Sequence, residues 1–238
     1  MAAPTVSAAA RGPSAGAPTV AVAVWDNLRM ATQSKYLPVA LLCVAAIAGI
    51  AASLLLRHRA PVELTTGTLL SPSRAVPDFS LIDHQGRKFE SANLRGHWSL
   101  LFFGYTNCPD FCPTTLTTLA AVQKRLRAEK ARVLPQVLFV SVDAKRDTPA
   151  QLAKYVPNFA PEFIGLTAAD QPSIEAVAKK FGVTVVILPP MANGDYGVDH
   201  SSAVFVLDPD GRLAAILTGP FTPEALQHDF QRIVAGRA

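Results

Sequence analysis

Phe103-Gly104-Tyr105-Thr106-Asn107-Cys108-Pro109-Asp110-Phe111-Cys112-Pro113 holds two of the chain's three cysteines, with three residues between them. An apolar run over residues 98–103 leads in, and a helix-like run over residues 114–131 leads out. Two thiols therefore stand where a buried strand turns into a helix. Pro113 suits the first helical position, where a missing N–H costs nothing. Free amides and the positive end of the helix dipole then lie near both sulfurs and favour thiolate over thiol. Soft-metal binding and disulfide exchange both need a thiolate.

The spacing narrows the chemistry. Disulfide oxidoreductases use C-x-x-C, in which one thiol attacks and its neighbour resolves. One extra residue here loosens the loop and lets both sulfurs address one ion. Two thiolates suit Cu(I). Zinc wants four ligands, and the sequence offers no second cysteine pair. A pair of core cysteines, or a structural disulfide, is the plainer alternative.

Composition adds an anchor. Residues 37–56 carry no charge over 20 positions, about the span of a bilayer core. Arg29 and Lys35 precede them, and Arg57 and Arg59 follow. This reads as one transmembrane helix. A cleaved signal peptide fits less well, because the leading segment is long and the apolar run exceeds the usual length. Cys43 lies near the start of the run with Leu42 before it, so a lipoprotein site is rejected. Flanking charge does not settle orientation. Of 22 Lys plus Arg and 18 Asp plus Glu, five bases and Asp26 precede Ala60, which leaves 17 of each sign afterwards. A neutral C-terminal part carries no nucleic-acid footprint.

Residues 1–36 read as a disordered tail with too few arginines for a transit peptide. Residues 57–74 read as a linker, and the globular domain is expected over residues 75–238. It opens with a hairpin around His84-Gln85-Gly86. The central strand follows, then a helix, a strand at residues 136–143 and a helix capped by Thr148-Pro149. A short strand at 163–167, a helix ended by Gly182 and a strand at 183–188 come next. An irregular loop, 189–199, precedes a hairpin turning at Asp208-Pro209-Asp210-Gly211. Thr222-Pro223 starts the last helix. Strands alternating with helices, closed by a hairpin and a helix, indicate an α/β, thioredoxin-like three-layer sandwich with one N-terminal transmembrane helix.

Among five histidines, His200 stands out. It follows the irregular loop and immediately precedes a buried strand, where a thioredoxin-like sheet brings the chain beside the redox loop. Thioredoxins place a cis-proline there; this chain has Val198-Asp199-His200-Ser201-Ser202. An imidazole facing Cys108 and Cys112 would complete a two-sulfur, one-nitrogen site for copper. A hydrogen-bonded loop residue is the alternative. Asp110 and Asp199 are candidate supporting carboxylates, with solvated turn residues as their plainer role. The Asp143–Pro149 loop lies at a strand C-terminus, near the active edge of such sheets. Capping is the bland role for Asp147 and Thr148.

The chain resembles the Sco/SenC family, membrane-anchored copper proteins of cytochrome oxidase assembly. The Phe103–Pro113 stretch is similar to F-G-Y-T-x-C-P-x-x-C-P. Residues 141–149 are similar to S-x-D-x-x-R-D-T-P, and Asp199-His200-Ser201 with Asp208-Pro209-Asp210-Gly211 to D-H-[ST] followed by D-P-x-G. Asn107 stands where many relatives carry histidine, a position that is not a family ligand. The resemblance implies Cys108, Cys112 and His200 as copper ligands. It implies a domain in the periplasm of a bacterium or the intermembrane space of a mitochondrion. It also implies delivery of copper to the CuA centre of cytochrome c oxidase subunit II, or reduction of that subunit's cysteines. An upstream copper donor or thiol reductant follows from either role. In a reductase the redox pair would be Cys108 and Cys112. A peroxidase is a third possibility that sequence alone leaves open.

Overall fold

The computed structural model of the chain describes residues 36–53 and 63–237. The chain divides into two compact units, Met1–Pro61 and Val62–Ala238. In the first, helix α1, Tyr36–Ser53, is 18 residues long and apolar enough to cross a membrane. The expected tail ahead of Tyr36, and Arg57, His58 and Arg59 after the helix, lie outside the described residues.

The second unit is built on an eight-stranded sheet. Its strands are β1 (Gly67–Ala75), β2 (Ser80–Asp83), β3 (Lys88–Glu90), β4 (Ser99–Gly104), β5 (Gln136–Ser141), β6 (Ile164–Thr167), β9 (Val204–Leu207) and β10 (Arg212–Leu217), in spatial order β1-β10-β9-β4-β5-β6-β2-β3. Strands β7 (Val185–Ile187) and β8 (Val198–His200) form a separate two-stranded ribbon. Helices α2 (Phe111–Ala128), α3 (Pro149–Tyr155), α4 (Gln171–Lys180) and α5 (Pro223–Ala235) complete the unit. Strand β4 runs parallel to β5, β5 parallel to β6, and β9 antiparallel to β4. This is the thioredoxin-like α/β fold.

All six residues of β4 are buried. Its unbroken apolar run is what a strand covered on both faces requires. Phe102 packs on one side with Phe111, Phe139 and the His200 ring, while Phe103 packs on the other with Phe181 and Phe205. The strand ends at Gly104, and the Val142 N–H bonds its carbonyl at 2.8 Å, so β4 and β5 finish together. The loops that leave them share one edge of the sheet.

Helix α2 begins at Phe111, earlier than expected, and takes Cys112 into its first turn. Pro113 is its third residue rather than its first, still among the positions whose N–H has no helical partner. Residues 57–74 are not a linker throughout. Gly67–Ala75 pairs with β10, and Asp229 of α5 accepts the Thr65 and Thr66 N–H groups at 2.8 and 2.7 Å. The irregular 189–199 loop also ends in structure, because Val198 and Asp199 belong to β8. Thr222 caps α5 as expected, its hydroxyl accepting the Ala225 N–H at 3.2 Å.

Gly104 leaves the space that the cysteine loop fills. A Cβ there would lie 2.7 Å from the Phe139 ring and 3.0 Å from Cys112 Sγ. Gly104→Ala is expected to lower the unfolding free energy by about 1–3 kcal/mol through overpacking. Urea denaturation checks this, and an unshifted midpoint would show that the strand end has slack.

Candidate metal centre

The cysteine loop is pinned at its start. Asp147 accepts the Thr106 N–H at 2.9 Å, the Thr106 hydroxyl at 2.6 Å and the Ser141 hydroxyl at 2.7 Å. The Cys108 N–H then bonds the Tyr105 carbonyl at 3.2 Å, closing a turn. One turn of chain later, the Cys112 N–H points at Cys108 Sγ from 3.4 Å. A helix-end amide thus serves the first sulfur, as the position predicts. Cys108 is half-buried and Cys112 fully buried, and both are free thiols.

At Cys112 the expected ease of ionisation does not hold. Burial pushes its thiol pKa far up, the Tyr105 backbone N–H pulls it back, and Cys108 and Asp147 add to the rise. Desolvation outweighs the helix dipole there because the sulfur sees no solvent. A cation at the site would reverse that balance by taking the proton's place.

His200 ends β8, where it pairs with Val185. Its Nδ1 lies 3.0 Å from the Ser201 carbonyl oxygen. A carbonyl only accepts, so Nδ1 carries the proton and Nε2 presents a lone pair. Nε2 lies 4.0 Å from Cys112 Sγ. The ring is held edge-on by Phe102 and Tyr105, with centroids at 6.4 and 6.0 Å. Burial lowers its pKa, with the Ser201 carbonyl and Asp199 opposing, and so favours the neutral, ligating imidazole. At 4.0 Å the two atoms stand near enough that both would serve as donors to one soft ion. Among the described residues no group of three or more His, Cys, Asp and Glu side chains is already drawn together as a closed metal site. What the fold brings together is Cys112 Sγ facing His200 Nε2, with Cys108 Sγ beside the Cys112 N–H.

The remaining candidates sit elsewhere. Asp110 precedes α2 without capping it and accepts the Thr114 hydroxyl at 3.3 Å. Asp199 is exposed and faces Val186 across the ribbon. Thr148 caps α3, accepting the Gln151 N–H at 3.3 Å. Asp147 does not cap; it fastens the cysteine loop. His84 accepts the Gly165 N–H at 3.1 Å, and His228 lies 3.3 Å from Asp229. Sequence reasoning missed Tyr105, Arg146, Asp195 and Tyr196 around the site. The charges at 143, 146 and 147 after a buried strand were the available signal.

The sequence profile of SCO1/SenC matches residues 68–235. The chain belongs to the SCO1/SenC family. Protein SCO2 homolog, mitochondrial, of Bos taurus is 41% identical over 155 residues, covering 65% of this chain and 58% of that protein. The match thus spans little more than half of the mammalian relative's length. The crystal structure of Arabidopsis thaliana ScoI with copper bound superposes with a TM-score of 0.64 at 33% identity, covering 67% of this chain and 98% of that one. BsSco, described with a disulfide switch as a member of the Sco family of cytochrome c oxidase assembly proteins, gives a TM-score of 0.57 at 26% identity, covering 71% and 96%.

Asp147 sets the Sco loop, and its own charge is expensive to bury. Burial raises its carboxyl pKa above the ordinary 3.8, against the Thr106 and Ser141 donors that lower it. The folded state then holds this proton more tightly than the unfolded chain, so ionising Asp147 costs stability as pH rises above the ordinary value. Asp147→Asn puts an amide NH2 in place of one of the two accepting oxygens and is expected to destabilise by about 1–3 kcal/mol. That penalty is expected to shrink as pH rises above the ordinary carboxylate value, because only the native residue ionises. Urea titrations of both proteins as pH is raised past that value check the size and the sign.

Proposed function

We propose that this Sco protein carries a copper ion on Cys108, Cys112 and His200 and hands it on during cytochrome c oxidase assembly, with the CuA centre of subunit II as recipient. The observation that carries the reading is the Nε2 lone pair, fixed by the Ser201 carbonyl and facing Cys112 Sγ from 4.0 Å. Two thiolates and an imidazole are a donor set for soft copper. Binding releases protons, since Cys112 must give up its own. Cys108, the more open sulfur, is where a partner's ligand enters and where exchange starts. The buried Cys112 and the edge-packed His200 hold the cargo meanwhile.

Anchoring through α1 confines the domain to a shell beside the membrane and raises its effective concentration near a membrane-bound recipient. The domain lies in the periplasm in a bacterial cell and in the intermembrane space in a mitochondrion. An upstream donor supplies the copper.

The unequal burial of the two thiols supports a second reading, a thiol–disulfide reductase. The Cys108 thiolate would attack a disulfide in the subunit II CuA site, forming a mixed disulfide and expelling one partner thiolate. Cys112, on losing its proton, would displace the second partner thiolate and close a Cys108–Cys112 bond. Two electrons pass to the partner, and a thiol reductant restores the pair.

The full chain, purified reduced and metal-free in detergent, is expected to bind one Cu(I). His200→Ala and Cys108→Ala are each expected to weaken binding by at least the 10–100-fold that loss of a mere supporting partner costs. Competition with a chromophoric Cu(I) chelator measures this. Undiminished affinity in both variants overturns the carrier reading, and turnover on an oxidised CuA-domain disulfide then decides for the reductase.

A further inference from the structure

His200 sits on an element with little support of its own. Strand β8 pairs with β7 outside the eight-stranded sheet, so no ladder of that sheet holds the hairpin that carries the imidazole. The hairpin tip is folded on itself by the Leu188 N–H to the Gly197 carbonyl at 2.9 Å and the Met191 N–H to the Asp195 carbonyl at 2.7 Å. Those bonds shape the tip without tying it to the core.

Arg146 supplies that tie. It stands in the loop after β5, and its side chain is 18% exposed. Nε donates to Asp143, a carboxylate 1% exposed two residues past the end of that strand. Nη1 donates to Asp195 at the hairpin tip. The guanidinium carbon lies 3.7 Å from the centroid of the Tyr196 ring. Tyr196 closes the circuit, its hydroxyl donating to Asp143 Oδ1 at 3.0 Å. The same guanidinium lies 5.6 Å from the Tyr105 ring. The Tyr105 ring in turn meets the His200 imidazole edge-on, with centroids 6.0 Å apart. One planar cation therefore binds the floor of the sheet, the tip of the ribbon and the aromatic wall of the site.

We infer that Arg146 is the positioning residue that holds the β7–β8 hairpin down and so keeps His200 within reach of Cys112. The inference rests on His200 being a copper ligand. It goes further in naming the group that makes the imidazole available: without Arg146 the dithiol still takes copper, and the nitrogen is withdrawn with the hairpin. Lysine cannot replace it, because a single ammonium cannot donate along two fork directions while stacking on a ring.

The test uses the full chain in detergent loaded with Cu(II), reading imidazole-nitrogen coupling by pulsed electron spin resonance beside the thiolate-to-copper absorption band and the copper affinity. Arg146→Ala is expected to keep the absorption band, lose the nitrogen coupling, and bind about 10–100-fold more weakly. Arg146→Lys is expected to behave the same way, and added imidazole to restore the nitrogen signal. A merely structural arginine would lower the melting temperature while the folded fraction kept its coupling. Should Arg146→Ala fail to fold, Asp195→Ala combined with Tyr196→Leu removes only the hairpin's end of the tie and is expected to lose the same signal. Full nitrogen coupling and affinity in the folded variants overturn the positioning role. Absence of imidazole coupling in the unaltered protein, or full affinity in His200→Ala, instead overturns the ligand assignment on which it rests.

Discussion

A sulfur atom with no solvent exposure stands against a nitrogen lone pair, and most of the domain serves that meeting. Cys112 is buried because β4 ends in a residue without a side chain and α2 starts almost at once. His200 is brought from a distant ribbon by Tyr105, Phe102 and the Arg146 circuit. Each partner disfavours charge where it sits. Burial holds the Cys112 thiol protonated and the His200 imidazole neutral. Together they form a pair that resists becoming an ion pair by itself, and that on the carrier reading a cation from outside would complete.

The asymmetry between the two cysteines gives the site a direction. Cys108 is reachable and has a helix-end amide aimed at its sulfur; Cys112 is sealed. On the carrier reading, exchange with a partner would begin at the open thiol, while the sealed thiol and the imidazole would hold the ion until last. The same asymmetry suits an attacking and a resolving thiol. Carrier and reductase thus draw on one geometry and differ in whether the imidazole takes part, since disulfide exchange has no need of a nitrogen 4.0 Å from the inner sulfur. Membership of the SCO1/SenC family, whose members are linked to cytochrome c oxidase assembly, fits either role.

Much of the architecture was legible in the chain. The apolar run before Gly104 announced a strand covered on both faces, and Thr148-Pro149 and Thr222-Pro223 marked helix starts because a hydroxyl and a pre-set φ act locally. The bringing together of His200 and Cys112 was readable from topology. What escaped was set by distant partners. Strand β1, rich in Ser, Thr and Pro, has no apolar period of its own and is a strand because β10 lies beside it. Strand β8 is three residues long and depends on β7. The helix dipole was expected to govern both thiols, but burial, which no local pattern reveals, governs Cys112. Asp147 looked like a cap from its neighbours in sequence, while its bonds run back to Thr106, 41 positions earlier.

X-ray absorption at the copper edge, on the reduced full chain loaded with one Cu(I), tests the central claim most directly. The account predicts a first shell of two sulfurs and one nitrogen, the nitrogen bearing the outer scattering of an imidazole ring. A shell of sulfur alone, unchanged when His200 is removed, would contradict it and leave ordinary dithiol chemistry in its place.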